Sequence, residues 1–237
     1  MSRIKLFCVP YAGASSMVYS KWKKGLADFI ELQEVELPGR GRRYSSPFCG
    51  NIDEAVEDII KQIESKISDG GKYAFFGHSM GTLIVYELVN RIKEVYDSEP
   101  VHIFFSGRNS PDIKVENKVV HTLSDEEFKF ELNKFGGIPD QIFENEELAK
   151  IFIPILRADY KLIDTYNYAK KKTKLNTDMT VFYGTEDAYI KSDIKSWEKY
   201  TTRRCDFIEY EGGHFFINTY MKEIICDINN ILASYKD

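Results

Sequence analysis

The sequence predicts an α/β fold, with a mostly parallel central sheet flanked by helices and one helical insertion. Three observations lead there. Six short runs have strand composition: "IKLFCVP" (4–10), "LQEVELP" (32–38), "KYAFFG" (72–77), "VHIFFSG" (101–107), "MTVFYG" (179–184) and "CDFIEYE" (205–211). Segments with helical periodicity separate them, the alternation that builds βαβ units. That alternation breaks once, over about 114–176, where helical patterns occur without a convincing strand.

Each element has a local reason. The first run leads through "VPYAGAS" into a helix from about Ser15. "NIDEAVEDIIKQIESKI" (51–67) sets Ile52, Val56, Ile59, Ile60, Ile63 and Ile67 near one helical face, with Asp53, Glu57 and Glu64 mostly elsewhere, so it covers the sheet. The strand that ends at Gly77 is followed by "MGTLIVYELVNRI", helical from Met80. Within the break, "SDEEFKFELNKF" (124–135) opens with a Ser N-cap and Glu127 three residues on, a capping box. A long aromatic helix over 145–169 is expected to bend near Pro154. The insertion is short for a core of its own, so residues 1–237 are expected to form one domain with a helical lid at about 114–176. No internal repeat or low-complexity linker interrupts it.

Composition narrows the function. At 237 residues, 43% hydrophobic and 29% charged, the chain has the makings of an ordinary globular core. A net charge of −5 argues against a general nucleic-acid binder, which needs a concentrated basic surface. Cys8, Cys49, Cys205 and Cys226 are scattered, with no CxxC pair or Cys/His cluster that would suggest zinc or a redox couple. The apolar run at the start is too short for a signal peptide and no stretch reaches membrane-span length, so a cytoplasmic protein with reduced thiols is expected.

The chemistry concentrates at "FFGHSMGTL" (75–83), where Ser79 falls on a strand-to-helix corner between Gly77 and Gly81. A nucleophile elbow strains its serine and brings neighbouring chain so close that side chains two residues away would clash; two glycines remove them. The helix end also aims N–H groups at the surroundings of the serine oxygen. A glycine-rich structural turn is the plainer reading, and the α/β context favours the nucleophile.

An activated serine needs a base, and the candidates are His78, His102, His121 and His214. His78 follows a turned backbone away from Ser79, His102 sits early in a strand, and His121 lies at the edge of the insertion. His214, in "YEGGHFF", follows the last strand through a Gly-Gly turn, where an α/β-hydrolase sheet presents its histidine. The orienting acid belongs at a strand end. Asp187, in "VFYGTEDAYI", suits that place better than its neighbour Glu186, and Asp112, in "FFSGRNSPDI", stays open as the alternative. A second oxyanion donor is expected from "VPYAGAS", with Ala12 first and Tyr11 next.

Taken with "LFCVPYAGAS", "ELPGRGRR" (36–43), "NKFGGIP" (133–139), "IPILRADYKLIDTY" (153–166) and "GGHFFI", these residues make the chain resemble the type II thioesterases over nearly its whole length. Those are the editing hydrolases of non-ribosomal peptide and polyketide assembly lines, related to the medium-chain thioesterase that acts with fatty acid synthase. GxSxG and a distant histidine fit any serine hydrolase, whereas the glycine-arginine stretch, FGGIP and LRADY are far more specific. The resemblance implies an α/β-hydrolase fold, a triad of Ser79, Asp187 and His214, an oxyanion hole from the N–H groups of Met80 and Ala12, and a lid over 114–176. It implies hydrolysis of acyl thioesters on the phosphopantetheine arm of acyl or peptidyl carrier proteins, with no cofactor of the enzyme's own, because the arm belongs to the substrate. Ala14 departs from the family, which often has glycine there, and bears on the oxyanion loop.

Other expectations follow from the same residues. Phe135, Ile138, Phe143, Phe152, Leu156 and Tyr160 are part of an apolar surplus in the insertion that must face the sheet, an acyl chain, or both. Arg40, Arg42 and Arg43, or Lys170, Lys171, Lys172 and Lys174, are candidates to dock an acidic carrier protein, although charge runs are usually solvated and the arginines can instead brace their loop. Neither nucleic acid nor membrane is an expected partner, and nothing demands more than a monomer. A general carboxylesterase or lipase, and a non-catalytic acyl-carrier-binding protein, are the rival readings.

Overall fold

The computed structural model describes residues 3–113, 119–133, 141–169, 173–190 and 194–236. Six strands, Ile4–Val9 (β1), Ile30–Glu34 (β2), Tyr73–His78 (β3), His102–Ser106 (β4), Asp178–Gly184 (β5) and Cys205–Tyr210 (β6), form one sheet in the order β2-β1-β3-β4-β5-β6. Every neighbouring pair is parallel. The chain winds outward from β1 in both directions, so the carboxyl ends of β1 and β3 flank the point where strand order reverses. Open α/β sheets form their ligand crevice at such a point.

The central strands are buried on both faces, which explains their unbroken apolar runs. Phe7, Phe75, Phe105 and Val181 pack beneath Ile52–Ile67 (α1) and Met80–Tyr96 (α2). Leu6, Cys8, Phe76, Phe104 and Phe182 face the opposite layer, built from a 3-10 helix over Ser16–Lys24, Phe216–Thr219 (α6) and Met221–Ala233 (α7). Each such side chain, removed from water, contributes about 1.5–3 kcal/mol before the entropy of ordering is subtracted.

The structure shifts two expected boundaries. β2 spans Ile30–Glu34 rather than 32–38. Its ladder fades after Val35 N–H donates to Cys8 O at 3.3 Å, because Pro38 has no N–H and Gly39 turns the chain at φ +81°. The segment expected to be helical from Ser15 is a 3-10 helix capped by Ser15, and its buried residues Ser16, Tyr19 and Trp22 recur every third position, the period of that helix.

The insertion contributes Asp125–Asn133 (α3), Gln141–Glu144 (α4) and Glu146–Thr165 (α5). The capping box forms: Ser124 Oγ donates to Glu127 Oε2 at 3.0 Å and accepts Glu127 N–H at 3.4 Å. At α5, Asn145 Oδ1 accepts the N–H groups of Glu147 and Leu148, and Pro154 sits inside the helix. "FGGIP", with Phe135 and Ile138, and Lys170, Lys171 and Lys172 lie outside the described residues.

His102 is buried in β4 and held neutral by its partners. Tyr235 Oη gives its only proton to Asp178 at 2.7 Å, so it accepts from His102 Nδ1–H at 3.2 Å, while His102 Nε2 accepts the Thr180 hydroxyl at 2.8 Å. Burial lowers the pKa from 6.5 to about 4, outweighing the nearby Asp178, which raises it. Between those values the unfolded chain binds more protons than the folded one. Stability from this site is therefore complete above the unfolded value and is lost as the pH falls toward 4, a loss of about 3 kcal/mol. Urea unfolding of His102→Gln should show a flatter fall in stability across that window, by one proton's worth of slope. Equal slopes in variant and wild type would clear His102 of the effect.

Candidate active site

Ser79 occupies the corner between β3 and α2 with φ +54° and ψ −113°, a conformation L-residues avoid and whose cost is of order 1–3 kcal/mol. The surrounding structure enforces it. Ser79 N–H donates to Ser106 O at 2.8 Å, and Thr82 Oγ1 lies 2.8 Å from Gly77 O and 2.9 Å from Ser106 O while accepting Ser106 N–H at 3.1 Å. The flanking glycines are sterically required: a Cβ on Gly77 would overlap the Gly81 carbonyl, and one on Gly81 would overlap the Val9 carbonyl.

His214 and Asp187 come together at the ends of β6 and β5. His214 Nδ1–H donates to Asp187 Oδ2 at 2.8 Å, with the Asp187 side chain fully buried. That bond leaves Nε2 as the acceptor. Asp187 Oδ1 takes Tyr189 N–H at 2.9 Å, and Glu186 N–H donates to Gly212 O at 2.9 Å, lacing the two loops together. A Cβ on Gly184 would strike the Gly212 and Gly213 carbonyls, so this close approach needs glycine. The Tyr189 ring stands 4.6 Å from the His214 ring.

The other candidates are engaged elsewhere. Asp112 binds Ser110, Lys199 and Tyr200, and Glu186 is exposed. The hydrogen bonds of Asp112, from Lys199 first, hold its pKa at about 2 despite desolvation. His121 Nδ1 meets Asp164 at 2.7 Å, inside the insertion. His78 lies closer to the site than the turned backbone suggests: its ring is 5.1 Å from that of His214, and Nδ1 sits 2.9 Å from Ser106 Oγ. Burial, then the neighbouring His214, pushes its pKa well below the usual range, so it is neutral.

Ser79 and His214 line one cavity of about 270 Å³ together with Tyr11, Ala12 and the insertion residues Phe152, Leu156 and Tyr160. Phe143 packs instead with Phe128 and Leu132 in a small cluster within the insertion. Met80 N–H opens α2, where a helix offers no internal acceptor. The arginines brace the fold. Arg43 grips Asp58 through both terminal nitrogens at 2.5 and 2.6 Å, Arg42 donates to Glu34 O at 3.1 Å, and Arg40 is buried. Lys174 is exposed. Among the described residues no cluster of three or more metal-ligating side chains occurs, and no helix is long and apolar enough to cross a membrane.

The model of the Thioesterase domain family matches residues 4–232. The chain belongs to the thioesterase family. It is accordingly an enzyme of the serine α/β-hydrolase type, and the six-stranded sheet is the one its structural neighbours share. Among relatives of this thioesterase, the gramicidin S biosynthesis protein GrsT of Aneurinibacillus migulanus is 33% identical over 225 residues, 94% of this chain and 87% of that protein. The medium-chain S-acyl fatty acid synthase thioesterase of Rattus norvegicus is 34% identical over 216 residues, 90% of this chain and 81% of that one. Among solved structures, ClbQ from the colibactin NRPS/PKS pathway superimposes with a TM-score of 0.93 at 36% identity, covering 98% of each chain. The type II thioesterase BorB from the borrelidin biosynthetic cluster gives 0.86 at 28% identity, covering 96% of this chain and 92% of that one.

Proposed function

We propose that this thioesterase releases acyl groups from the phosphopantetheine thiol of carrier proteins in non-ribosomal peptide or polyketide assembly, clearing stalled arms. The observation that carries the reading is Ser79, strained in the lining of a largely apolar cavity that it shares with an Asp187-oriented His214. The relatives and neighbours that belong to such pathways support the choice of substrate.

In this scheme His214 Nε2 takes the Ser79 proton as Oγ bonds to the thioester carbonyl carbon. The oxyanion is held by the N–H groups of Met80 and Ala12, backbone dipoles that oppose the developing charge. The C–S bond then breaks, and the thiolate leaves with the proton from His214. A water molecule gives its proton to His214 and bonds to the acyl carbon; the Oγ–C bond breaks, Ser79 recovers the proton, and the free acid departs. Side chains, backbone amides and water carry every step, so the scheme asks for no metal or cofactor of the enzyme's own. The acyl chain lies along Phe152, Leu156 and Tyr160 beneath the insertion, which serves as the lid.

Single-turnover hydrolysis of the same hexanoyl group on holo carrier protein, on CoA and as a simple ester tests the substrate. The carrier thioester should react fastest, with the ester at least about tenfold slower, because only the carrier presents both protein surface and arm. Preference for the ester would make the chain a general carboxylesterase, and no turnover of any of the three would return it to an acyl-carrier-binding role.

A further inference from the structure

The loop read above as the second oxyanion donor is held from outside. Tyr11 to Ala14 form a turn closed by Ala14 N–H donating to Tyr11 O at 3.1 Å, with Gly13 at φ +81° and Ala12 at negative φ. That is a type II turn, and type I shares its closing bond but has the central peptide flipped. The peptide between Ala12 and Gly13 is therefore the part of the loop with two ways to sit.

Asp159, on α5, decides between them. Its Oδ2 accepts Gly13 N–H at 2.7 Å, and the side chain is fully buried. A flipped peptide would turn the Ala12 carbonyl toward the carboxylate in place of that N–H. Arg40 closes the arrangement, with Nη1 on Asp159 Oδ2 at 2.5 Å, Nη2 on Oδ1 at 2.6 Å, and Nη1 also 3.3 Å from Ala14 O. One buried ion pair thus holds the Ala12–Gly13 peptide through Gly13 N–H and the Ala14–Ser15 peptide, where the chain leaves the turn, through Ala14 O. The other end of the loop is fixed separately, where Glu36 accepts the N–H and hydroxyl of Ser16 at 2.9 and 3.0 Å.

The charges fit the task. A lone buried carboxylate near a developing oxyanion would oppose it and would be costly in itself. The guanidinium fork neutralises Asp159 in a fixed plane, so the carboxylate can grip an amide without adding net charge beside the reaction. Close packing completes the seat: a Cβ on Gly13 would overlap Leu156, one turn before Asp159 on α5. The helix that walls the cavity is also the helix that anchors the loop.

We propose that Arg40 and Asp159 are positioning residues for the oxyanion-binding loop, holding the Tyr11–Ala14 turn so that Ala12 N–H faces the carbonyl oxygen during attack. This rests on the serine chemistry proposed above. The test compares wild type, Asp159→Asn, Arg40→Lys and Ser79→Ala using the hexanoyl thioester of N-acetylcysteamine. It also measures affinity for a hexyl trifluoromethyl ketone, which forms a tetrahedral adduct with serine, and for the matching thioether, which has no carbonyl. Asp159→Asn and Arg40→Lys should each lower kcat by about 10- to 100-fold, with KM within about twofold. Ketone affinity should fall by a similar factor while thioether affinity holds.

If Asp159→Asn does not fold, Arg40→Lys carries the test through the same split. Wild-type kcat in a folded variant overturns the proposal. So does equal weakening of ketone and thioether, or failure of both variants to fold, since either makes the pair a plain strut. Wild-type turnover by Ser79→Ala overturns the serine chemistry and this proposal with it, and that result is read from a different protein.

Discussion

Ser79→Ala lowers kcat/KM for acyl thioesters by at least about 10⁴-fold, because no other atom in the scheme forms the bond to the acyl carbon. Binding should survive. The cavity wall is built by the insertion and the Tyr11–Ala14 loop, and alanine keeps the Cβ at the corner. Isothermal titration with a thioether analogue and steady-state kinetics on one preparation separate the two effects. A variant that loses binding along with turnover would point to a damaged corner instead of a missing nucleophile.

Asp187→Asn has the next largest effect, a fall in kcat of about 10³- to 10⁴-fold. The carboxylate only accepts, so it fixes the proton of His214 on Nδ1 and leaves Nε2 able to take the serine proton. An amide in the same buried place can donate to Nδ1, which moves the ring proton to Nε2 and blocks the transfer. Fold and substrate affinity should be nearly unchanged, because Tyr189 N–H still finds an oxygen on the side chain. Asp112→Asn is the matched control. Engaged by Lys199 and Tyr200, Asp112 should affect stability with little change in kcat, and a reversed ranking in the kinetics would reassign the acid.

Much of this arrangement is legible in the sequence alone. The central strands were readable because burial on both faces leaves unbroken apolar runs, and the corner at Ser79 because glycines at 77 and 81 have few other uses between a strand and a helix. His214 followed from chain order. The carboxylate partner of His214 was less determined, since both Asp112 and Asp187 follow strand ends; a single hydrogen bond between laced loops separates them. The 3-10 helix over Ser16–Lys24 was hidden because Ser16, Tyr19 and Trp22 offer few apolar positions from which to tell a period of three from 3.6.

The contact of Arg40 with Asp159 was beyond the reach of local pattern. Arg40 reads as one member of a basic run, and 119 positions separate it from its partner. Only the sheet's winding and the seating of α5 bring them together. "GRGRR" and "LRADY" could be quoted as distinctive stretches, yet nothing in either one says that the other completes it. The ring of His78 beside His214 is a similar case, since a strand residue's neighbours across the sheet are set by the ends of β4 to β6.

The central claim is that an acyl group passes through Ser79. Rapid quenching of enzyme mixed with excess hexanoyl carrier protein, followed by intact-mass and peptide-mass analysis, addresses it directly. The account predicts a transient species heavier by one hexanoyl group, mapped to the peptide that holds Ser79 and absent from Ser79→Ala. An adduct on another residue, or carrier hydrolysis by Ser79→Ala at the wild-type rate, would contradict it.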